Sequence, residues 1–449
     1  MPFLRGEISP PGDKSITHRA LLFSSLVKGR VHIEHALLSG DTRSTAKALA
    51  KLGLSLNIDD QGAAATIDVV SPGIEKLRES ILNESEMLQS TPINFDCGNS
   101  GTTTRLLAGL CAGLSGGVFR FDGDASLRSR DMSRILSPLQ SMGCEVEYLG
   151  AQGYAPFQIK AKDLHSKDID LKISSSQVSS ALLLAGLVGV AQGGGRNCMT
   201  VSTPFTVRDH TFRLLKFMGA NIEECGVNSY KVFSLASDLA PCRIVVPGDI
   251  SSCAFFLSGA AVMPGSSLLL KGVGVNPGRI LVMDTLARMG VSILKENSRL
   301  VCGEPVCDLH VQSTLGVRLR PCNIEAASIP SGIDEIPAIA LAFAFADGRS
   351  VVSGAEELKH KESNRLRLII ENFANAGVRI EETSDGFFIE GSRTIAGGSF
   401  WRTNSDHRLA MLGMVASLAF ERPLIIEEVD SAAVSYPGFS RDLAVLVNI

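Results

Sequence analysis

No excess of either charge sign, no long apolar run and no cysteine pairing pattern marks this 449-residue chain. Its 43 Lys and Arg against 47 Asp and Glu leave a formal net charge of −4, which gives no general attraction to nucleic acid or to an acidic membrane. An anion site on such a chain has to be a local cluster of Lys and Arg. Apolar stretches such as Ala181–Ala191 and Ala338–Ala346 are too short to span a bilayer. The ten cysteines are scattered with no CxxC pair. The nearest two, Cys302 and Cys307, have no His or Cys cluster beside them to complete a metal set. They read as free thiols, mostly buried, of a reducing compartment. Met1–Glu7 runs straight into the first motif, so no signal or transit peptide is expected and the expected location is the cytoplasm. Two nucleotide signatures are also missing. No GxGxxG follows a strand, and Gly98–Arg105 lacks the GK[ST] ending of a phosphate loop.

What remains is a globular composition, 45 % hydrophobic and 20 % charged, on a chain long enough for two or three domains. The stretch Pro11-Gly12-Asp13-Lys14-Ser15-Ile16-Thr17-His18-Arg19 reads as the start of a helix, with Asp13 and Ser15 as good capping residues and Ala20–Phe23 as its apolar continuation. A helix N-terminus attracts anions, and Lys14 and Arg19 add two positive charges there. Taken alone, the stretch is equally an ordinary capped helix. The same phrase returns as Pro247-Gly248-Asp249-Ile250-Ser251-Ser252, so the chain reads as two duplicated halves.

Four further polar segments share the layout: Gly98–Thr102, Ser174–Gln177, Gly332–Glu335 and Ser405–Arg408. The six stand roughly 75 to 85 residues apart, and each opens a repeat unit. Each is followed by an apolar helix, a strand and a second helix. In all but the last, an x-Gly-x turn and closing strands then follow. The Gly after each of those second helices fits a left-handed position that ends it. Alternating runs such as Cys144–Tyr148 and Val378–Glu382 fit half-exposed strands. Interleaved helices and strands make the class α/β or α+β.

Basic residues gather at the starts and ends of the units: Lys14, Arg19, Arg105, Arg128, Arg130, Arg208, Lys361, Arg365 and Arg408. Such a set on an acidic chain points to a ligand with several phosphate or carboxylate groups. Two carboxylates stand among them. Asp334 precedes the apolar run Ala338–Phe343, and Glu362 lies between Lys361 and Arg365. A carboxylate among cations and apolar neighbours can be retuned as acid or base. The structural alternatives are a helix cap for Asp334 and an i,i+3 partner of Arg365 for Glu362. His210 and His407 read as core or base residues, neither in a Ser–His–Asp context.

In combination, Pro11–Ser15, Gly98–Thr102, Gly123–Leu127 with Arg130, Ser175–Gln177, Ile333–Glu335, Lys361–Ser363 with Arg365, and Asp406–Arg408 resemble the enolpyruvyl transferase family. The likeness covers nearly the whole chain and is to the branch that uses shikimate 3-phosphate. It implies an α/β (α+β) fold of two domains, each of three βαβαββ units. The first domain would be residues 1–12 plus 243–449 and the second 13–242, with the substrates in a cleft between them. The implied reaction moves the enolpyruvyl group of phosphoenolpyruvate to the 5-hydroxyl of shikimate 3-phosphate and releases phosphate. The implied shikimate 3-phosphate site is Lys14, Ser15, Arg19, Ser175, Ser176, Gln177, Ser202, Arg208, Asp334 and Lys361. Phosphoenolpyruvate would meet Lys14, Gly101, Arg130, Gln177, Arg365 and Arg408. Glu362 would protonate the methylene carbon, and Asp334 with Lys14 would handle the hydroxyl proton. The resemblance implies no metal or organic cofactor, no nucleic-acid or membrane partner, and a monomer.

The chain departs from the family pattern at Leu106, Asp131, Phe212 and Asn364, and no C-terminal Lys matches in Ser435–Phe439. The sister transferase acting on UDP-N-acetylglucosamine usually has a Lys-Asn opening and a catalytic Cys on a mobile loop. Here the opening is Asp13-Lys14-Ser15, and Cys111 falls inside an apolar helix. A related repeat fold that processes RNA ends would need a basic face, which the net charge speaks against. A silent anion-binding relative would not need Asp334 and Glu362.

Overall fold

Five of the six repeat units open with a side chain that caps a helix. Asp13 accepts from Ile16 N at the start of Lys14–Phe23, Ser100 from Thr103 N at Gly101–Ala112, and Ser175 from Val178 N at Ser176–Gly189. Asp249 and Asp406 do the same for Ile250–Val262 and His407–Ala419. Each cap satisfies an N–H that has no partner within its helix. Ile336–Ala344 is the exception: the residue before it is Glu335, which makes no side-chain cap. Asp334 lies one residue before that position, and its carboxylate meets Lys361 and Arg365. The second helices are Gly40–Lys51, Ser133–Ser141, His210–Phe217, Leu281–Arg288 and Arg365–Asn375. Gly53, Gly143, Gly219, Gly290 and Gly377 follow them at φ of +92° to +109°, a conformation that a Cβ disfavours.

The computed structural model describes residues 2–60, 62, 64–87, 91–190, 196–313 and 318–448, so Ala191 of the apolar run Ala181–Ala191 lies outside it. The chain divides into two units. The first comprises Met1–Pro11, Pro247–Val301 and Pro305–Ile449, and the second Gly12–Val246 with Cys302–Glu304. Gly12 and residues 243–246 thus cluster with the second unit, where the resemblance implied the first domain. The reason is strand pairing: Cys242–Val245 runs parallel to Lys28–Ala36. Phe3–Ile8 is the counterpart in the first unit, parallel to Ser267–Gly274. Each unit is completed by a strand that the chain supplies from the far side of a crossing.

The second unit has three four-stranded sheets of one topology. In each, the outer pair is parallel and the other two pairings are antiparallel, as when Ile93–Asp96 joins Val118–Asp122, which joins Phe157–Lys160 and then Glu145–Tyr148. The first unit has a five-stranded sheet, a four-stranded sheet and the short pair Phe400–Trp401 with Ile425–Ile426. Its last strand, Val447–Asn448, closes antiparallel onto Phe3–Ile8.

The first helix of each repeat is buried along most of its length; Ile250–Val262 and Ile336–Ala344 are buried at every residue, which suits a helix with no solvent face. Gly101–Ala112 packs on Lys14–Phe23 and on Ser176–Gly189. The latter approach is close: a Cβ on Gly109 would lie 2.1 Å from the Ala181 carbonyl oxygen. In the first unit Ile250–Val262, Ile336–Ala344 and His407–Ala419 pack pairwise on one another. Phe255 and Phe256 are buried there, each worth ~1.5–3 kcal/mol of apolar burial. Among the described residues no helix is long and apolar enough to cross a membrane.

Candidate functional site

The capped helix ends carry two polar clusters, one in each unit. In the second unit, Lys14 Nζ donates to Asp41 Oδ2 at 3.1 Å, with both side chains mostly buried. One turn further, buried Arg19 ties three elements together. Its Nε donates to Thr211 Oγ1 at 2.8 Å, Nη1 to the Ser15 carbonyl at 2.9 Å, and Nη2 to Ser180 and Ser176 Oγ at 2.8 and 3.2 Å. Arg208 Nη1 donates to Ser15 Oγ at 3.2 Å, and Ser176 Oγ donates to the Arg208 carbonyl at 2.9 Å. Gln177 bridges to the helix Gly101–Ala112: its Oε1 accepts from Arg105 Nη1 at 2.7 Å and its Nε2 donates to Thr102 Oγ1 at 2.8 Å.

Gly101 sits among these cations. A Cβ there would lie 2.8 Å from Arg105 Nη1 and 3.3 Å from Arg130 Nη1. Arg130 is steadied by Asn99 and by Ser126 Oγ. Of the predicted residues, Ser15, Arg19, Ser176 and Arg208 are joined by direct hydrogen bonds; Lys14 is held by Asp41, Gln177 by Arg105 and Thr102, and Arg130 by Asn99 and Ser126. Ser175 uses its hydroxyl oxygen as a helix cap, and Ser202 hydrogen-bonds Ser229 at 2.9 Å, on the strand Cys198–Ser202.

In the first unit a single arginine collects three carboxylates. Arg365 Nε donates to Asp406 Oδ2 at 2.7 Å, Nη1 to Asp334 Oδ1 at 3.2 Å, and Nη2 to Glu362 Oε2. Lys361 Nζ reaches Asp334 Oδ1 at 3.3 Å, and Arg408 Nε is 3.9 Å from the same oxygen. Burial works against the charge of Arg365, but Asp406, Glu362 and Asp334 outweigh it and hold its pKa above the ordinary arginine value. Three of its five N–H groups serve carboxylates. Arg408 Nε is buried and has no hydrogen-bond partner among the described residues.

Asp41, Arg105, Asn99 and Asp406 also belong to these clusters; the sequence reading placed Arg105 in the basic set and Asn99 and Asp406 in motifs without a role of their own, and passed over Asp41. Arg105 carried a signal as a basic residue one turn after Gly101. Asp41 and Asp406 act on residues far along the chain. The departures from the family pattern have local explanations. Asn364 caps Arg365–Asn375 by accepting from Arg367 N at 3.1 Å, a role that Asn and Asp fill equally well. Asp131 accepts from Ser133 N at 2.8 Å at the start of Ser133–Ser141. Phe212 lies against Tyr230, centroids 5.0 Å apart, and Leu106 is core. Tyr436 and Phe439 pack on Phe256, so the C-terminal segment is a structural element. Cys111 is wholly buried, and burial pushes its thiol well above the ordinary range. That state is inert as a nucleophile. His210 is buried with Nδ1 2.8 Å from Glu304 Oε1, a structural pair.

Residues 2–443 match the model of a family described as EPSP synthase (3-phosphoshikimate 1-carboxyvinyltransferase). A relative from Oceanobacillus iheyensis named 3-phosphoshikimate 1-carboxyvinyltransferase is 39% identical over 440 residues, covering 98% of this chain and 96% of its own. One of the same name from Gloeobacter violaceus is 41% identical over 446 residues, with 98% and 96% covered. Among solved structures, EPSP synthase from Acinetobacter baumannii is similar at a TM-score of 0.82 and 31% identity, covering 100% of this chain and 98% of that one. The enolpyruvyl transferase NikO from Streptomyces tendae shares the fold at a TM-score of 0.73 and 19% identity, with 99% and 96% covered.

Proposed function

The chain belongs to the EPSP synthase family, and from that premise we propose that it moves the enolpyruvyl group of phosphoenolpyruvate to the 5-hydroxyl of shikimate 3-phosphate, releasing phosphate. The product lies on the route to chorismate and the aromatic amino acids. The observation that carries the reading is the pair Asp334 and Glu362 held by one buried arginine, Arg365. Each substrate bears a phosphate and a carboxylate, so bringing them together requires several cations. Lys14, Ser15, Arg19, Ser175, Ser176, Gln177, Ser202, Arg208, Asp334 and Lys361 take shikimate 3-phosphate in this reading. Lys14, Gly101, Arg130, Gln177, Arg365 and Arg408 take phosphoenolpyruvate.

The phosphoenolpyruvate carboxylate competes with Glu362 for the N–H groups of Arg365 and frees Glu362 to act as an acid. Glu362 delivers its proton to C3, and C2 becomes a cation of oxocarbenium character. The acceptor hydroxyl attacks C2 while Asp334, with Lys14, takes its proton. Loss of a C3 proton back to Glu362 and cleavage of the C2–O bond to phosphate then give the enol ether. The cations around Gly101 stabilise the departing phosphate. No step calls on a metal or organic cofactor. The reading needs one copy of the chain and places the reaction in the cytoplasm. The test is phosphate release with each substrate omitted in turn. Release requires phosphoenolpyruvate and shikimate 3-phosphate together; turnover with UDP-N-acetylglucosamine and none with shikimate 3-phosphate would overturn the assignment.

A further inference from the structure

We propose that His18, Thr45 and Thr103 form a buried positioning relay that fixes the Ser100–Gly101 helix end relative to Lys14, and thereby sets affinity for phosphoenolpyruvate. The three residues lie on three helices that pack together, Lys14–Phe23, Gly40–Lys51 and Gly101–Ala112. All three are fully buried, and Ser100 nearly so. His18 Nδ1 is 2.8 Å from Thr45 Oγ1, which is 2.7 Å from Thr103 Oγ1. Thr103 Oγ1 donates to Ser100 Oγ at 2.7 Å and lies 3.2 Å from the Asp41 carbonyl oxygen.

The direction of the chain follows from counting protons. The single proton of Thr103 goes to Ser100 or the Asp41 carbonyl, so Thr45 donates to Thr103. The Thr45 oxygen then accepts from His18, which places the His18 proton on Nδ1. His18 Nε2 is left buried with no hydrogen-bond partner among the described residues. Burial, followed by Lys14 and Arg19, lowers the His18 pKa to about 3, against the opposing pull of Asp41 and Asp13. The ring is neutral at pH 7 and holds one tautomer.

Apolar side chains would pack these helices without the cost of burying hydroxyl and imidazole groups. What the polar chain adds is direction. Its far end is Ser100, the cap of the helix that opens at Gly101, and Asp41, whose carboxylate holds Lys14. Its near end is His18, one turn after Lys14 on the same helix. Hydrogen bonds thus run from His18, one turn after Lys14, to Ser100, the residue before Gly101, and a branch at Thr103 reaches the backbone carbonyl of Asp41, whose carboxylate holds Lys14. Lys14 and Gly101 are two of the groups placed against phosphoenolpyruvate in the reading above. The inference rests on that placement of Lys14 and Gly101.

The test is Thr45→Val in the full-length protein, with KM for each substrate and kcat measured separately. Loss of the hydroxyl breaks two links at one point, so KM for phosphoenolpyruvate rises about tenfold. KM for shikimate 3-phosphate and kcat, in which Lys14 also takes part, change several-fold less than KM for phosphoenolpyruvate, and Thr45→Ser restores the native values. A variant that merely unfolds in part loses apparent kcat and leaves KM unchanged. Equal changes in both KM values, no change in either, or no rescue by Ser would overturn the relay. If Thr45→Val does not fold, Thr45→Cys keeps a similar volume with a weak donor and carries the same comparison. Gly101→Ala separates the relay from the reading beneath it. Its Cβ meets Arg105 Nη1 at 2.8 Å, so it selectively raises KM for phosphoenolpyruvate. A response to Gly101→Ala with none to Thr45→Val rejects the relay alone; no response to Gly101→Ala rejects the placement of phosphoenolpyruvate.

Discussion

Glu362→Gln lowers turnover by about 10²- to 10⁴-fold, the usual contribution of a general acid, while shikimate 3-phosphate still binds with nearly native affinity. Gln keeps the length and planarity of the side chain and can still meet Arg365, but it has no proton to give to C3. The split arises because Glu362 lies in the cluster of the first unit, whereas most of the proposed acceptor ligands lie in the second. Steady-state kcat and direct titration of shikimate 3-phosphate measure the two effects separately. Unchanged turnover would remove Glu362 from the mechanism. Loss of acceptor binding in proportion to turnover would make it a structural ligand.

Arg365→Met has the largest expected effect on stability. The arginine side chain is 1% exposed and that of Asp406 is 0% exposed, so the substitution leaves a buried carboxylate without its counter-ion. Breaking such a pair from one side costs about 3–5 kcal/mol. Asp406→Asn in the same chain removes the stranded charge and keeps a side chain able to cap His407–Ala419, so the double variant recovers more than half of the loss. The chain contains one tryptophan, Trp401, which is buried and donates to the Leu409 carbonyl at 2.9 Å in the first unit. Its fluorescence during urea unfolding reports on that unit. A loss below about 1 kcal/mol, or no recovery on adding Asp406→Asn, would mean that Arg365 is not the counter-ion the geometry makes it.

Local chemistry made the start of each repeat legible in the sequence. A capping side chain, an apolar helix and a Gly in the left-handed region each act within a few residues, so Asp13, Ser100, Asp249 and Gly53 announce themselves. Asp334 left two readings open on this point because a carboxylate before an apolar run looks the same whether it caps a helix or faces a cation. Only Lys361 and Arg365, 27 and 31 residues on, decide between the two. The strand exchange was hidden for a similar reason. Cys242–Val245 has an ordinary β pattern, and nothing local says that its partner is Lys28–Ala36, more than 200 residues earlier. Asp41, Asp406 and Thr103 are short polar residues at or near helix starts, where the sequence offers capping as sufficient reason for them, and Thr45 is a polar residue in the middle of Gly40–Lys51. Their second tasks depend on which helices are neighbours.

One chemical event is central to the proposed reaction, delivery of a proton to C3 of phosphoenolpyruvate. Running the reaction in D2O with both substrates and following the vinyl protons of the product by NMR tests it directly. Protonation makes C3 a methyl group, and elimination then removes any one of its three hydrogens. The expected result is deuterium at C3 of the product, accumulating in step with turnover. Full turnover with the vinyl protons untouched would mean that C3 never gains a proton, and would contradict the assignment of Glu362 and the addition–elimination route with it.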